Sequence, residues 1–397
     1  MRRPPRVGVL RQFGIGALAS GAVLLWACGP RREISTPLPA QSSWVAPPRP
    51  VLPAEADTND ARAYFLFGTI MIGARPDTAA AAFYWATQLD PWDADAYYAR
   101  AVALLRTLME PLPGTSILAA KRQLREQEAQ VIDSLHRAAY DLDPFIHRRF
   151  DHLVGPPLQF LRCEGVRDMR ASAMCFLHKS DYARALRGFG EALKRTPKEI
   201  ELHYLRAQMF FRLRHFDSAA TELRILADSM EGRQTKKAML YISRAAVFYA
   251  QGMAYTQHRD TAKAREAFER ALVEDLSFHM ASVRLAGHAL ATGDTTAALT
   301  HLAHAVDLRP ADARLRVYYG STLASANRAH EAAEQLMRAI DANRHYAPAY
   351  LHLGRVLERT DVERAVTSYE MYLARAARGD STRVWTEQRL NSFGKTP

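Results

Sequence analysis

Small and apolar side chains return at a fixed interval along the second half of the chain. Steps of 34 residues from Gly252 meet Ala286, Gly320 and Gly354. Ala264, Ala298 and Ala332 follow the first three of these; Phe268, Leu302 and Leu336 come next, then Ala271, Ala305 and Ala339, with polar residues between. Apolar places three and four residues apart predict amphipathic helices, two to a unit. Small residues at set places predict close backbone approach, and the constant period predicts stacked copies of one helix-turn-helix.

The same register reaches back to Ala173, Ala185, Phe189 and Ala192, and to Ala207, Ala219, Leu223 and Leu226. From Ala207 to Gly252 the step is 45, and the surplus falls on the polar residues 228–237, which predict an extended turn or an early helix start. A first unit from about Asp57 places Tyr64, Phe67, Gly68 and Met71 on one helix and Ala79, Phe83 and Ala86 on the next, after a loop one residue short. Asp90-Pro91 predicts a cap and first helical position, and Thr196-Pro197-Lys198-Glu199 a capping box. A long helix over 116–142 carries Leu124, Val131, Leu135, Ala138 and Leu142 on one stripe, closes with Asp143-Pro144 and is expected to project as an arm. The pattern fails over 145–167, where Pro156-Pro157 break any helix and Phe145, Phe150, Leu158, Phe160 and Leu161 predict a packed connector. Asp181, Asp260 and Asp294 stand where an acid caps the second helix of a unit. The last unit again has a short loop, with Ala365, Tyr369 and Tyr372 on its second helix. A helix over 381–393, with Trp385, Leu390 and Phe393, suits the cover that an open stack needs.

The pattern small-x11-Ala-x3-Phe/Leu-x2-Ala resembles the tetratricopeptide repeat (TPR). The resemblance implies an all-α fold, a TPR-like right-handed superhelical solenoid of about eight helix pairs. It also implies a concave face lined by the first helix of each pair, and so a protein or peptide partner. Carried over by register, that face includes Arg170, Tyr204, Gln208, Phe211, Tyr249, Met253, Met280 and Val283, with Arg314 and Arg355 toward one end. Members that clamp a C-terminal carboxylate use Lys and Asn at two of these positions, and neither stands there in this chain. The groove suits an extended peptide or amphipathic helix; the alternative is that the superhelix closes on itself and these side chains only pack.

Residues 1–28 run from a cationic start through an apolar stretch, 14–27, to a small residue and cysteine, the layout of a secretory signal. Fourteen helical residues cover about 21 Å, against a hydrocarbon core of about 30 Å. Leu25-Trp26-Ala27-Cys28 resembles a bacterial lipobox, with Trp26 where a smaller residue is usual. The resemblance implies lipidation at Cys28 and an anchor in the bacterial cell envelope, at the outer membrane facing the periplasm. Seven prolines between Gly29 and Glu55 predict a disordered, extended tether over 29–56, able to reach about 80 Å. Behind it the expected divisions are N-terminal units over 57–144, the connector over 145–167, the regular array over 168–378, and a capping helix and tail over 379–397.

The chain carries +11, and loss of four arginines with the leader leaves +7. These charges are spread among acids, as in Arg265, Glu266, Glu269 and Arg270, without a basic run, so no nucleic-acid partner is expected. No metalloprotease, nucleophile-elbow or phosphate-loop motif occurs, and no cofactor is expected. His301, His304 and Asp307 share a helix face but flank Leu302 and Ala305, which predicts a solvated face rather than a metal site. His147 and His152 around Asp151 lack a third ligand. Cys163 and Cys175 are a candidate disulfide in an oxidising compartment, with two free thiols as the alternative. The function expected is a non-catalytic, membrane-tethered scaffold. Alternatives are an enzyme or enzyme subunit acting on cell-wall or glycan material, though the Glu-Ser pair of lytic transglycosylases does not occur, or a pilot protein for secretion or outer-membrane assembly.

Overall fold

The computed structural model describes residues 46–108, 126–146, 163, 168–231 and 243–394. Among these there are 17 helices and no strand. They run as consecutive pairs: α1 (Ala61–Met71) with α2 (Pro76–Leu89), α3 (Ala94–Leu108) with α4 (Glu126–Leu142), α5 (Met169–His178) with α6 (Tyr182–Arg195), and α7 (Glu201–Arg212) with α8 (Phe216–Ser229). Then come α9 (Arg244–Gln257) and α10 (Thr261–Glu274), α11 (His279–Ala291) and α12 (Thr295–Leu308), α13 (Ala313–Ser325) and α14 (Ala329–Ala342), and α15 (Ala347–Leu357) and α16 (Val362–Leu373). A single helix, α17 (Thr382–Ser392), ends the stack. Each helix packs closely on the next in the chain, with one break: no such packing joins α4 to α5.

The small residues do what their spacing implies. A Cβ built on Gly252 would lie 2.5 Å from Phe268, one on Gly354 2.6 Å from Tyr369, and one on Gly320 2.9 Å from Leu336. The glycine of a first helix is thus the hollow that receives the large residue of the second, and the alanines Ala264, Ala298 and Ala332 are fully buried beside it. In the unit whose large residue is Leu302 the small residue at the corresponding place is Ala286, and both are fully buried.

The turn within each regular pair is one motif repeated. Ser180, Arg214, Arg259, Gly293 and Asn327 all have φ between 59° and 81°, the left-handed region that ends a helix. The next residue closes the motif, as Asp181 N–H donates to the Phe176 carbonyl at 2.9 Å and Asp260 N–H to that of Tyr255 at 3.0 Å. That same residue begins the second helix, where the carboxylates of Asp181, Asp260 and Asp294 accept from the backbone N–H three residues on. The first and last pairs lack the left-handed residue, in keeping with their shorter loops.

Several local readings are corrected. The Asp90 carboxylate accepts from Trp92 N–H at 3.0 Å, closing the turn on itself, so Asp93 caps α3 instead through Ala96 N–H at 3.1 Å. Thr196 turns its hydroxyl back onto the Ala192 carbonyl at 2.9 Å, so no capping box forms and α7 starts at Glu201. The stretch read as a disordered tether packs from residue 46 on. Arg49 lies over the Trp85 ring at 4.9 Å and donates to the Tyr64 hydroxyl at 2.8 Å, Trp85 donates to the Pro47 carbonyl at 3.2 Å, and Leu52 is buried. Extended prolines leave carbonyls free to accept, which the neighbouring indole exploits. His304 does not lie on a wholly solvated face: its ring meets the hydroxyl of buried Ser282 at 2.9 Å. Of the predicted long helix, the part Glu126–Leu142 is described as α4 and packs on α3 through Ile132, Leu135 and Ala139; the part before it lies outside the described residues. Most of the connector, the residues 232–242, and His147, Asp151 and His152 lie outside the described residues. So do Cys28 and the leader.

α17 covers the last pair: Leu390 is fully buried, Trp385 meets Tyr369 edge-on at 5.8 Å, and Arg355 lies over the Trp385 ring at 4.5 Å.

Candidate interaction face

The first helices of the array, α7, α9, α11 and α13, present Tyr204, Tyr249, Met280, Val283 and Arg314 on one face, since these positions recur with the repeat. An open groove is not what they form. Tyr204 is 3% exposed, Tyr249 0% and Met280 1%, and one apolar cluster joins them to Phe83, Tyr98, Ile132 and Leu135 of α2–α4. The chain's own N-terminal block, residues 46–108 and 126–146, lies against the face. Of the expected groove residues Gln208 and Val283 are buried as well, Phe211 and Met253 are half-buried, and Arg170 stands apart, exposed and paired with Glu199 at 3.3 Å and Glu201 at 2.6 Å.

The block runs along the array in the opposite direction. Asn59 donates to the Ala374 carbonyl at 3.0 Å and Asp57 pairs with Arg378 at 3.7 Å. Asn343 donates to the Gln88 carbonyl at 2.8 Å, and Trp85 meets His345 edge-on at 5.0 Å. Arg314 donates to the Pro91 carbonyl, and at the far end Tyr204 and Arg212 donate to the carbonyls of Pro144 and Phe145. As block numbers rise, array numbers fall.

Two places on this seam are built alike. Asp90 Oδ1 accepts from Trp92 N–H at 3.0 Å and Asp143 Oδ1 from Phe145 N–H at 2.8 Å, so each Asp-Pro-aromatic triplet is a tight turn. Each turn presents its proline carbonyl to an array side chain, Arg314 or Tyr204. Each then lays its aromatic ring on the array: Trp92 under the Arg314 guanidinium at 4.7 Å, and Phe145 stacked on Phe211 at 3.8 Å with planes 10° apart. The two Asp-Pro pairs were visible in the sequence; that their proline carbonyls face residues 60 and 223 positions away was not.

The seam is charged as well as apolar. Burial pushes the Asp312 carboxyl up, but the Arg314 guanidinium at 2.6 Å outweighs it and holds Asp312 below its ordinary value. Burial raises Asp141 to about 6, against the pull of Arg309, and raises Asp143, against its Phe145 N–H and Arg212. Burial drives His279 down to about 3, and Arg309 adds to it, so this ring is neutral near pH 7. Basic groups of the array therefore meet acids of the block.

Cys163 and Cys175 are joined by a disulfide, their Cα atoms 5.5 Å apart, and Ser172 donates to the Cys163 carbonyl at 2.9 Å. Among the described residues no group of three or more His, Cys, Asp or Glu is arranged to hold a metal ion.

Residues 173–230 and 249–313 match the family model of the tetratricopeptide repeat. No curated protein matches the chain. Among solved structures it is similar to YrrB, described as a TPR protein with an unusual peptide-binding site, at 18% identity over 51% of this chain and 98% of that one, with a TM-score of 0.40. It is similar to the C-terminal part of a TPR repeat-containing protein from Cytophaga hutchinsonii at 15% identity, over 56% of this chain and 84% of that one, with a TM-score of 0.46. The corresponding values for MamA from Desulfovibrio magneticus RS-1 are 21% identity, 44%, 94% and 0.38.

Proposed function

We propose that this chain, a tetratricopeptide-repeat protein, is a non-catalytic scaffold that binds protein segments and is held in the bacterial cell envelope by lipid on Cys28. One observation carries the binding half of this reading. Side chains of the array, Tyr204, Arg212 and Arg314, donate to main-chain carbonyls of a polypeptide laid along them. Recognition through carbonyls depends little on the side chains of the bound segment, so the same donors serve a partner's backbone. The charge of the face, with Arg212, Arg284, Arg309 and Arg314, favours acidic segments.

The envelope half rests on other features. Leu25-Trp26-Ala27-Cys28 closes a cationic and apolar leader, and the disulfide between Cys163 and Cys175 suits an oxidising compartment such as the periplasm. Photo-crosslinking in the native cell, with the reactive residue at Met253 and then at Arg355, tests the scaffold. Cross-links to other polypeptides are the expected result, and products confined to the chain itself at both positions would sink it. Cys28→Ser is expected to move the protein from the membrane to the soluble fraction and to abolish incorporation of labelled palmitate; unchanged fractionation would remove the lipid anchor.

A further inference from the structure

Among the described residues, the N-terminal block meets the array differently from the way the helices of the array meet one another. Helix packs on helix throughout α1–α4 and again throughout α5–α17, but not from α4 to α5. The block meets the array instead through turns, side-chain tips and the apolar residues between them. Its two Asp-Pro-aromatic turns, at 90–92 and 143–145, dock with the same set of contacts: a turn closed by the aspartate, a proline carbonyl taking a donor, and a ring on an Arg or Phe of the array.

We propose that these two turns sit in the array's ligand seats, so that the block is an autoinhibitory occupant and the partner is a protein whose acidic Asp-Pro-aromatic segment displaces it. The inference rests on the scaffold reading above and names the chemistry of its ligand. Three observations support it together. The two seats share one geometry although they lie on different repeats, Tyr204 and Phe211 on α7 and Arg314 on α13. The turn aspartate Asp143 lies near Arg212 and Arg284 of the array, with Asp95 of the block opposing them. The donors engage carbonyls, which every peptide supplies.

The test uses the full mature chain with its disulfide intact and a fluorescent peptide of residues 140–146, Tyr-Asp-Leu-Asp-Pro-Phe-Ile, read by anisotropy. Phe145→Ala empties one seat without touching the array, and it is expected to bind the peptide at least tenfold more tightly than the unaltered chain. Adding Phe211→Ala is expected to abolish that gain. Because Phe145 is buried, Trp92→Ala with a peptide of residues 89–93 gives a second measurement; residue Trp92 is 38% exposed, so its loss spares the core. Equal binding by the unaltered chain and by both variants, each with unchanged helical circular dichroism, would overturn the proposal. Cross-links to other polypeptides from Met253 or Arg355 alongside that result would leave the scaffold standing and remove the autoinhibition alone.

Discussion

Gly252→Ala sets two principles against each other, and the structure decides which wins. Alanine in a helix interior is favoured over glycine by about 1 kcal/mol. At this position, however, the new methyl would lie 2.5, 2.6 and 2.9 Å from three carbons of the Phe268 ring. That ring is fully buried and bounded by Tyr249 at 5.7 Å and His288 at 5.8 Å between centroids, so it has little room to yield. Overpacking of this kind costs about 1–3 kcal/mol, and a contact this short belongs in the upper part of that range. The variant is therefore expected to lose about 1–2 kcal/mol net, despite gaining helix propensity. Phe268→Leu alone should also destabilise, by about 1–2 kcal/mol, because it leaves a void over the glycine. Together the two changes recreate the natural pair Ala286 and Leu302 of the next unit, both fully buried. The double variant should then be at least as stable as Phe268→Leu, a coupling of about 1–3 kcal/mol. Urea unfolding of the full chain followed by circular dichroism, with equal slopes for the four proteins, measures it. A neutral or stabilising Gly252→Ala, or single effects that add within about 0.5 kcal/mol, would refute the packing logic assigned to the repeat.

Other outcomes follow from particular residues. Arg259 and Arg214 each hold φ at 64° in the place that Gly293 fills in a sister repeat; a side chain there costs about 1–2 kcal/mol, so Arg259→Gly should raise stability by up to about 1 kcal/mol and a loss would count against the turn assignment. Asp260→Ala removes the acceptor of Lys263 N–H at 3.1 Å and should lower stability by about 1 kcal/mol in the same assay. His279 has its pKa depressed to about 3 from 6.5, so the unfolded chain takes up a proton that the folded one refuses, and stability falls as pH drops from 6.5 toward 3. His279→Gln should flatten that limb of the profile by up to about 1.4 kcal/mol per pH unit, and an unchanged slope would refute the assignment. Asp141, raised to about 6 from 3.8, acts in the opposite sense: its contribution is full below pH 3.8 and lost as pH rises through 6, so Asp141→Asn should gain stability relative to the parent most clearly above pH 6.

How much could be seen beforehand differed from residue to residue. The pairing of Gly252 with Phe268, the caps at Asp181, Asp260 and Asp294, the two short loops and the terminal cover all depend on residues within one repeat or its neighbour. Asp90 and Thr196 misled because a carboxylate or hydroxyl near a helix start has several backbone groups in reach, and which one it takes depends on the turn's exact course. Tyr204, Tyr249, Met280 and Val283 belong to one buried apolar cluster, and nothing in their spacing told whether the face they were assigned to would be open.

The sequence by itself determined the repeat: its length, its two helices, the hollow at one small residue and the bulk that fills it, since each of these is a contact between near neighbours in the chain. Only the tertiary structure decided that residue 57 meets residue 378 and residue 145 meets residue 212. The reason is geometric, for each pair is turned slightly against the last, and where the stack returns on itself depends on the sum of many small rotations that no single stretch of residues encodes.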